Sequence, residues 1–225
     1  MPVTRPYSAH GDACATSHAM ELLGNRWTYP VIRELMLAPK RFAELEASLR
    51  GITPAVLTAR LRQLEASGMV RRVTLPAPAR VTVYAVTAWT SELKPVLESL
   101  GRWALRSPMR DVAGGGLTPD AIVQSMMTMA PPAAMEPPIE IELHLADQRV
   151  NVDTAPYTYR LNWADKLSIE RGFARDPIAS VIGDSSTWAS ILYEGSALDA
   201  MDITGDHATV ERVVAAFDSA IDATT

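Results

Sequence analysis

Residues 52–72 read ITPAVLTARLRQLEASGMVRR. Four arginines stand here against one glutamate, in a chain whose formal net charge is −5. The stretch reads as one helix followed by the start of a strand. Thr53 is a good N-cap, and Pro54 sits at the first helical position, where a missing N–H is harmless. Leu57, Leu61 and Leu64 follow at spacings of four and three, so they share one side. At about 100° per residue the opposite side carries Ala55, Ala59, Arg62 and Ala66, flanked by Val56, Thr58 and Gln63. The helix is therefore expected to bury leucine and to open a small, basic face. Small side chains let a helix lie close to another surface, and arginine reaches past them. Gly68 ends it.

The neighbouring segments complete a pattern. Downstream, VRRVTL and VTVYAV flank the tip PAPAR (76–80). Both flanks are rich in β-branched residues and the prolines confine the middle to a turn, so a hairpin is expected. Arg71 and Arg72 lie near one end of it and Arg80 at its tip. Upstream, SHAMELLGNRW reads as a short helix ending at Gly24. Thr28 to Leu37 reads as a second, with Val31, Ile32, Leu35 and Met36 apolar and Pro30 in the tolerated first turn. Arg41 to Leu49 reads as a third, with Phe42, Leu45 and Leu49 on one face. Helix, turn, helix and basic hairpin is the order of a winged helix-turn-helix, whose partner is double-stranded DNA. The expected DNA-facing set is Thr53, Ala55, Val56, Thr58 and Ala59 along the close-approach side. Arg62 and Gln63 are placed for base or phosphate contact, Arg60 for phosphate, and Arg71, Arg72 and Arg80 on the wing.

These pieces resemble the HxlR-type transcription regulators. The matching residues run from Cys14 through Leu22-Leu23-Gly24-Asn25-Arg26-Trp27, Phe42-Ala43-Glu44-Leu45 and Ile52-Thr53-Pro54. They continue through Leu57 to Glu65, Gly68 to Arg72, Tyr84-Ala85-Val86-Thr87, and Pro95-Val96-Leu97 to Trp103. The resemblance covers roughly residues 14–106. It implies a homodimer built on the terminal helices and bound to a two-fold related operator. It also implies a second signal, because several proteins of this type carry an N-terminal cysteine that senses oxidants or electrophiles. Cys14 precedes a helix with Thr16 or Ser17 as the expected cap, a setting that favours thiolate. The alternative is a cysteine that merely packs at the dimer contact. Two positions depart from the pattern. Ala15 stands where a proline is usual, and VTAWTSEL lacks the glycine common before the last helix.

Charge divides the chain. Residues 1–110 hold 15 Lys and Arg against 8 Asp and Glu, a balance of +7, while residues 111–225 hold 6 against 18, a balance of −12. Two domains with different partners are expected. The first spans 1–110, a Gly-rich linker occupies 111–117 within VAGGGLTP, and the second spans 118–225. The composition, 48% hydrophobic and 21% charged, is that of a globular protein. No apolar run approaches the roughly 20 residues of a membrane helix, and the N-terminus lacks an apolar signal core. A soluble, cytoplasmic protein with no membrane partner is expected. The single cysteine excludes an intrachain disulfide.

In the acidic half, Thr118-Pro119-Asp120 opens a helix bearing Ile122, Val123, Met126, Met127 and Ala130. IEIELHL then alternates strictly, as a half-buried strand does. QRVNVD, YTYRLNW, LSIERG and ASVIGD are expected as further strands. The closing residues read as two or three helices around a short ITG strand. This makes the whole chain α+β, with an N-terminal winged helix-turn-helix followed by a C-terminal antiparallel sheet packed with helices. The second half resembles the sterol carrier protein type-two-like domain over about residues 118–223. The matching pieces are Thr187-Trp188 onward, Gly195-Ser196-Ala197-Leu198-Asp199-Ala200 and Ile203-Thr204-Gly205-Asp206. That resemblance implies a cavity for an apolar small molecule. Met126, Met127, Trp163 and Trp188 are its candidate lining, with plain core packing as the alternative.

His144 falls on the polar face and is expected to be solvated. No second His or Cys stands near it at ligand spacing, so no metal or other cofactor is expected. Phosphate-loop, HExxH and GxSxG patterns are absent, which argues against an enzyme. The resulting expectation is a dimeric DNA-binding transcription regulator modulated by an apolar small-molecule effector. A thiol-based redox regulator acting through Cys14 is one alternative, and a lipid carrier without specific DNA reading is another.

Overall fold

The structure is a computed structural model that describes residues 7–78, 80–109, 115–150 and 156–222, without the side chains of 8 and 218–222. The chain divides into two compact units, Met1–Lys94 and Pro95–Thr225.

In the first unit a 3-10 turn, Tyr7–His10, leads into helices α1 (Ala15–Leu23), α2 (Thr28–Met36), α3 (Phe42–Ser48) and α4 (Pro54–Ala66). Strands β1 (Val70–Thr74) and β2 (Thr82–Val86) form an antiparallel hairpin, and α5 (Ala88–Ser91) follows. Local chemistry sets these boundaries. The Thr53 hydroxyl accepts the Val56 N–H at 3.4 Å, and Pro54 occupies the first turn. Gly68 takes φ +71°, a conformation that L side chains resist, and turns the chain out of α4 into β1. Val31, Ile32 and Leu35 of α2, Leu45 of α3 and the three α4 leucines make the core, each between 0% and 3% exposed.

A buried ion pair braces that core. Glu34 and Lys40 are buried together at 2.5 Å, and Arg33 donates to the other carboxylate oxygen of Glu34 at 3.0 Å. The Lys40 backbone exchanges hydrogen bonds with Tyr84, at 3.0 and 2.8 Å, which ties the α2–α3 connection to the hairpin. Sequence spacing did not reveal this pair, because nothing in the chain pattern tells Lys40 from a solvated lysine.

In the second unit α6 (Lys94–Leu105) is followed by α7 (Pro119–Met129), then β3 (Ile139–Ala146), β4 (Tyr157–Trp163), β5 (Leu167–Arg171) and β6 (Ala179–Asp184). Helix α8 (Ser185–Glu194), a 3-10 turn (Leu198–Ala200), β7 (Asp202–Gly205) and α9 (His207–Asp222) close it. The sequence boundary at 110 and the division into units differ by α6. That helix packs on α7, where the Arg102 guanidinium reaches the Thr128 carbonyl at 3.3 Å. Residues 111–114 of the expected linker lie outside the described residues.

The five strands form one sheet in the order β5-β4-β3-β6-β7. The expectation of an antiparallel sheet needs correction, because β3 and β6 run parallel, with Ile141 opposite Ala179 and Leu145 opposite Gly183. After the β3-β4-β5 meander the chain crosses to the free edge of β3, and side-chain alternation is the same for either strand direction. The strand expected at QRVNVD is also corrected. Residues 148–150 are a turn, the Val150 N–H bonding the Asp147 carbonyl at 3.0 Å, and 151–153 lie outside the described residues. The apolar sheet face, with Ile141, Leu143, Leu161 and Val181 at 0% exposure, packs against the helices.

Candidate nucleic-acid interface

Helix α4 carries the site. Its inner side holds Leu57, Leu61 and Leu64. Thr53, Ala55, Ala59, Arg62 and Gln63 are exposed, while Val56, Thr58 and Arg60 are half-buried beside the leucine stripe. The face predicted to be small and basic is thus open, and its arginines differ from one another.

Arg62 is exposed on that face. Arg60 donates from Nη1 to Gln63 Oε1 at 2.7 Å. Its Nε is buried without a hydrogen-bond partner, and burial pulls the guanidinium pKa down from its ordinary value. Arg72 is held differently. Its Nε lies 2.7 Å from Glu65 Oε1 and its Nη2 donates to Glu65 Oε2 at 2.9 Å, a two-pronged pairing between α4 and β1. The hydrogen bonds that Arg72 donates to Glu65, with the charges of Tyr84 and Glu65, raise the Arg72 pKa. The same guanidinium lies over the Tyr84 ring at 5.6 Å. Arg71, the other arginine of the strand, is exposed. Arg80 is exposed at the hairpin tip with φ +41°, an unusual backbone for a residue with a side chain.

Cys14 is exposed and is itself the N-cap residue of α1, two or three positions ahead of the caps expected from sequence. The backbone N–H and hydroxyl of Ser17, with the N–H of Thr16, lower its thiol pKa. They do so by favouring thiolate at the helix start. The Cys14 N–H donates to Asp12 Oδ1 at 2.8 Å.

In the second unit, Met126, Trp163 and Trp188 have no exposure and Met127 is half-buried. Trp163 donates to the Ala133 carbonyl at 3.1 Å and meets the Phe217 ring edge-on at 5.8 Å. The Trp188 indole N–H is buried with no partner. A groove of about 480 Å³ lies elsewhere, on the outer side of β4 and β5, lined by polar residues that include Arg160, Asn162, Lys166 and Glu170.

Sequence reasoning missed two polar clusters. Asp120, fully buried in the first turn of α7, accepts from Tyr159 at 2.6 Å and from Arg171 at 3.0 and 2.8 Å. Arg171 also stacks on Tyr157 at 3.6 Å. Burial lowers the Arg171 pKa, but the hydrogen bonds and charge of Asp120 outweigh it, so the net direction is up. The expectation of a solvated His144 is corrected. Its Nε2 lies 2.9 Å from Glu142 and its Nδ1 3.1 Å from the Thr158 hydroxyl. Among the described residues, no group of three or more His, Cys, Asp or Glu could hold a metal ion. Among the same residues, no helix is long and apolar enough to cross a membrane.

The model of the HxlR-like helix-turn-helix family matches residues 22–111. An uncharacterized HTH-type transcriptional regulator of Synechocystis sp. is 41% identical over 88 residues, which are 39% of this chain and 64% of that protein. The uncharacterized HTH-type transcriptional regulator YvaP of Bacillus subtilis is 34% identical over 87 residues, 38% of this chain and 80% of YvaP. The HTH-type transcriptional regulator YodB of Bacillus subtilis is 35% identical over 86 residues, 38% of this chain and 77% of YodB. Solved structures describe YodB in reduced, diamide-treated and quinone-bound forms. The reduced form aligns with 44% of this chain and 97% of its own at a TM-score of 0.40. With the capped α4, the basic hairpin and these relatives together, the chain belongs to the HxlR-like helix-turn-helix family of transcription regulators.

Proposed function

We propose that this regulator reads a two-fold related operator as a homodimer, with α4 in the major groove and the β1–β2 wing along the adjoining backbone. One observation carries the reading. Along α4 the leucines are buried while Ala55, Ala59, Arg62, Gln63 and Ala66 stand open. That is what close approach to a base edge requires. The exposed apolar residues of the terminal helices support dimerisation. Met20 of α1 is 50% exposed, and Val96, Leu100 and Trp103 of α6 are 55%, 48% and 67% exposed. Apolar faces of this kind gain by burial against a second copy. Selection from a pool of randomised duplex DNA, followed by band-shift titration, tests the reading. Arg62→Ala must lower affinity for the selected duplex, and a variant that binds it as tightly as the native protein refutes the assignment.

The second, acidic unit is proposed to be sterol carrier-like and to modulate operator binding through an apolar small molecule near Met126, Met127, Trp163 and Trp188. The buried indole N–H of Trp188 without an acceptor supports this, since an effector carrying one polar atom would satisfy it. Such a molecule acts only if it binds one spacing of the two recognition helices better than another. Band shifts with and without fatty acids and sterols, with mass spectrometry of co-purifying molecules, test it. Unchanged affinity with all of them, and no co-purifying molecule, refutes it.

One observation favours a second reading. Cys14 is exposed and its thiol pKa is lowered, and the relative YodB is described in diamide-treated and quinone-bound forms. On this reading diamide releases the protein from DNA through Cys14. Cys14→Ser must then abolish the diamide response, and an unaltered response in that variant removes the reading.

A further inference from the structure

Arg60 and Gln63 are three residues apart on α4, a spacing that makes their side chains neighbours. Three observations constrain them. The Nε of Arg60 is buried without a partner, so that edge of the guanidinium cannot face DNA. Its Nη1 donates to Gln63 Oε1 at 2.7 Å. Gln63 itself is exposed. An arginine has donors only, so the amide atom it meets must be the oxygen, and the usual ambiguity between amide oxygen and nitrogen disappears. The oxygen of Gln63 is thereby held toward the buried edge of the helix, and the two N–H donors of its Nε2 are the end left for a partner.

We infer that Arg60 is a positioning residue that fixes the Gln63 amide so that Gln63 presents donors to the base it reads. The inference rests on the reading of α4 as the recognition helix. A glutamine that pairs with adenine in two-pronged fashion accepts from N6 through its oxygen and donates to N7. Here one lone pair of that oxygen is already taken by Arg60, and the amino group leads. Acceptor edges, guanine N7 and O6 or thymine O4, suit it. The N4 amino group of cytosine meets donor against donor and is rejected. Arg60 then acts on sequence preference and not on general attraction to phosphate.

The test uses the full chain and duplexes selected from a randomised pool, with every single-base change of the selected sequence measured by band shift. Gln63→Ala locates the base pair that Gln63 reads. Arg60→Met keeps the side-chain stem and removes the donors. It should lose about tenfold in preference at that same base pair, and the Arg60→Met/Gln63→Ala double variant should lose no more than Gln63→Ala alone. Arg60→Lys retains a donor and should keep most of the preference. Circular dichroism melts confirm that each variant is folded. Three results overturn the inference. Arg60→Met could weaken all duplexes alike and lower the salt slope by about one, as loss of a phosphate contact would. The native protein could prefer cytosine on the strand Gln63 faces. Or neither Arg62→Ala nor Gln63→Ala could alter binding, in which case the reading of α4 falls and this inference with it.

Discussion

Replacing Asp120 by alanine removes the acceptor at the centre of the clamp between α7 and the sheet. The carboxylate is fully buried and takes one hydrogen bond from Tyr159 and two from Arg171. Two losses follow. The fully buried Tyr159 hydroxyl loses the carboxylate, at about 1–3 kcal/mol for a buried donor deprived of its acceptor. Arg171 loses its counter-charge, but its side chain is 21% exposed, so water reaches it. That loss falls below the about 3–5 kcal/mol of a fully buried broken pair. Together they put Asp120→Ala at about 3–4 kcal/mol. Asp120→Asn keeps one acceptor oxygen and costs less. Combining Asp120→Ala with Arg171→Met removes the unmatched charge, so the pair costs no more than Asp120→Ala alone. Urea titration read by hydrogen–deuterium exchange on β3 and β4 peptides measures the second unit separately from the first. An Asp120→Ala loss under about 1 kcal/mol, or a double variant clearly less stable than the single one, refutes the clamp as a stabilising element.

Three further outcomes follow from the same geometry. Leu61 is 1% exposed beneath the recognition face, so Leu61→Ala should cost about 2–5 kcal/mol in unfolding of the first unit by urea. Glu65→Ala frees Arg72 from its two-pronged partner. It should leave stability almost unchanged, because an exposed pair is screened by water, yet strengthen DNA binding and steepen the salt slope by about one. Iodoacetamide alkylation of Cys14 reads the thiolate, so a lowered pKa puts its half-maximal rate at a lower pH than that of an ordinary exposed thiol. Ser17→Ala should move that midpoint upward, and a midpoint that stays put assigns the shift elsewhere.

The sequence by itself determined the elements whose chemistry is local. Thr53, Pro54 and Gly68 bound α4 because capping, a fixed φ and a positive φ are decided within a few residues. The leucine spacing determined which side is buried, and alternation did the same for β3. Tertiary structure decided what depends on partners distant in the chain. The parallel pairing of β3 with β6 leaves no trace in alternation, since inward and outward residues repeat every two positions whichever way the neighbour runs. Asp120 meets Arg171 across 51 residues, and only the packing of α7 on β5 brings them together. The arginines of residues 52–72 show the same division. Their presence on one helix and one strand was legible, but their roles were set by where each guanidinium goes. Arg72 turns back to Glu65, Arg60 holds Gln63, and Arg62 and Arg71 stay exposed. Spacing fixes a side chain's angle about the helix axis, while its hydrogen-bond partner is chosen by the surfaces the fold assembles around it.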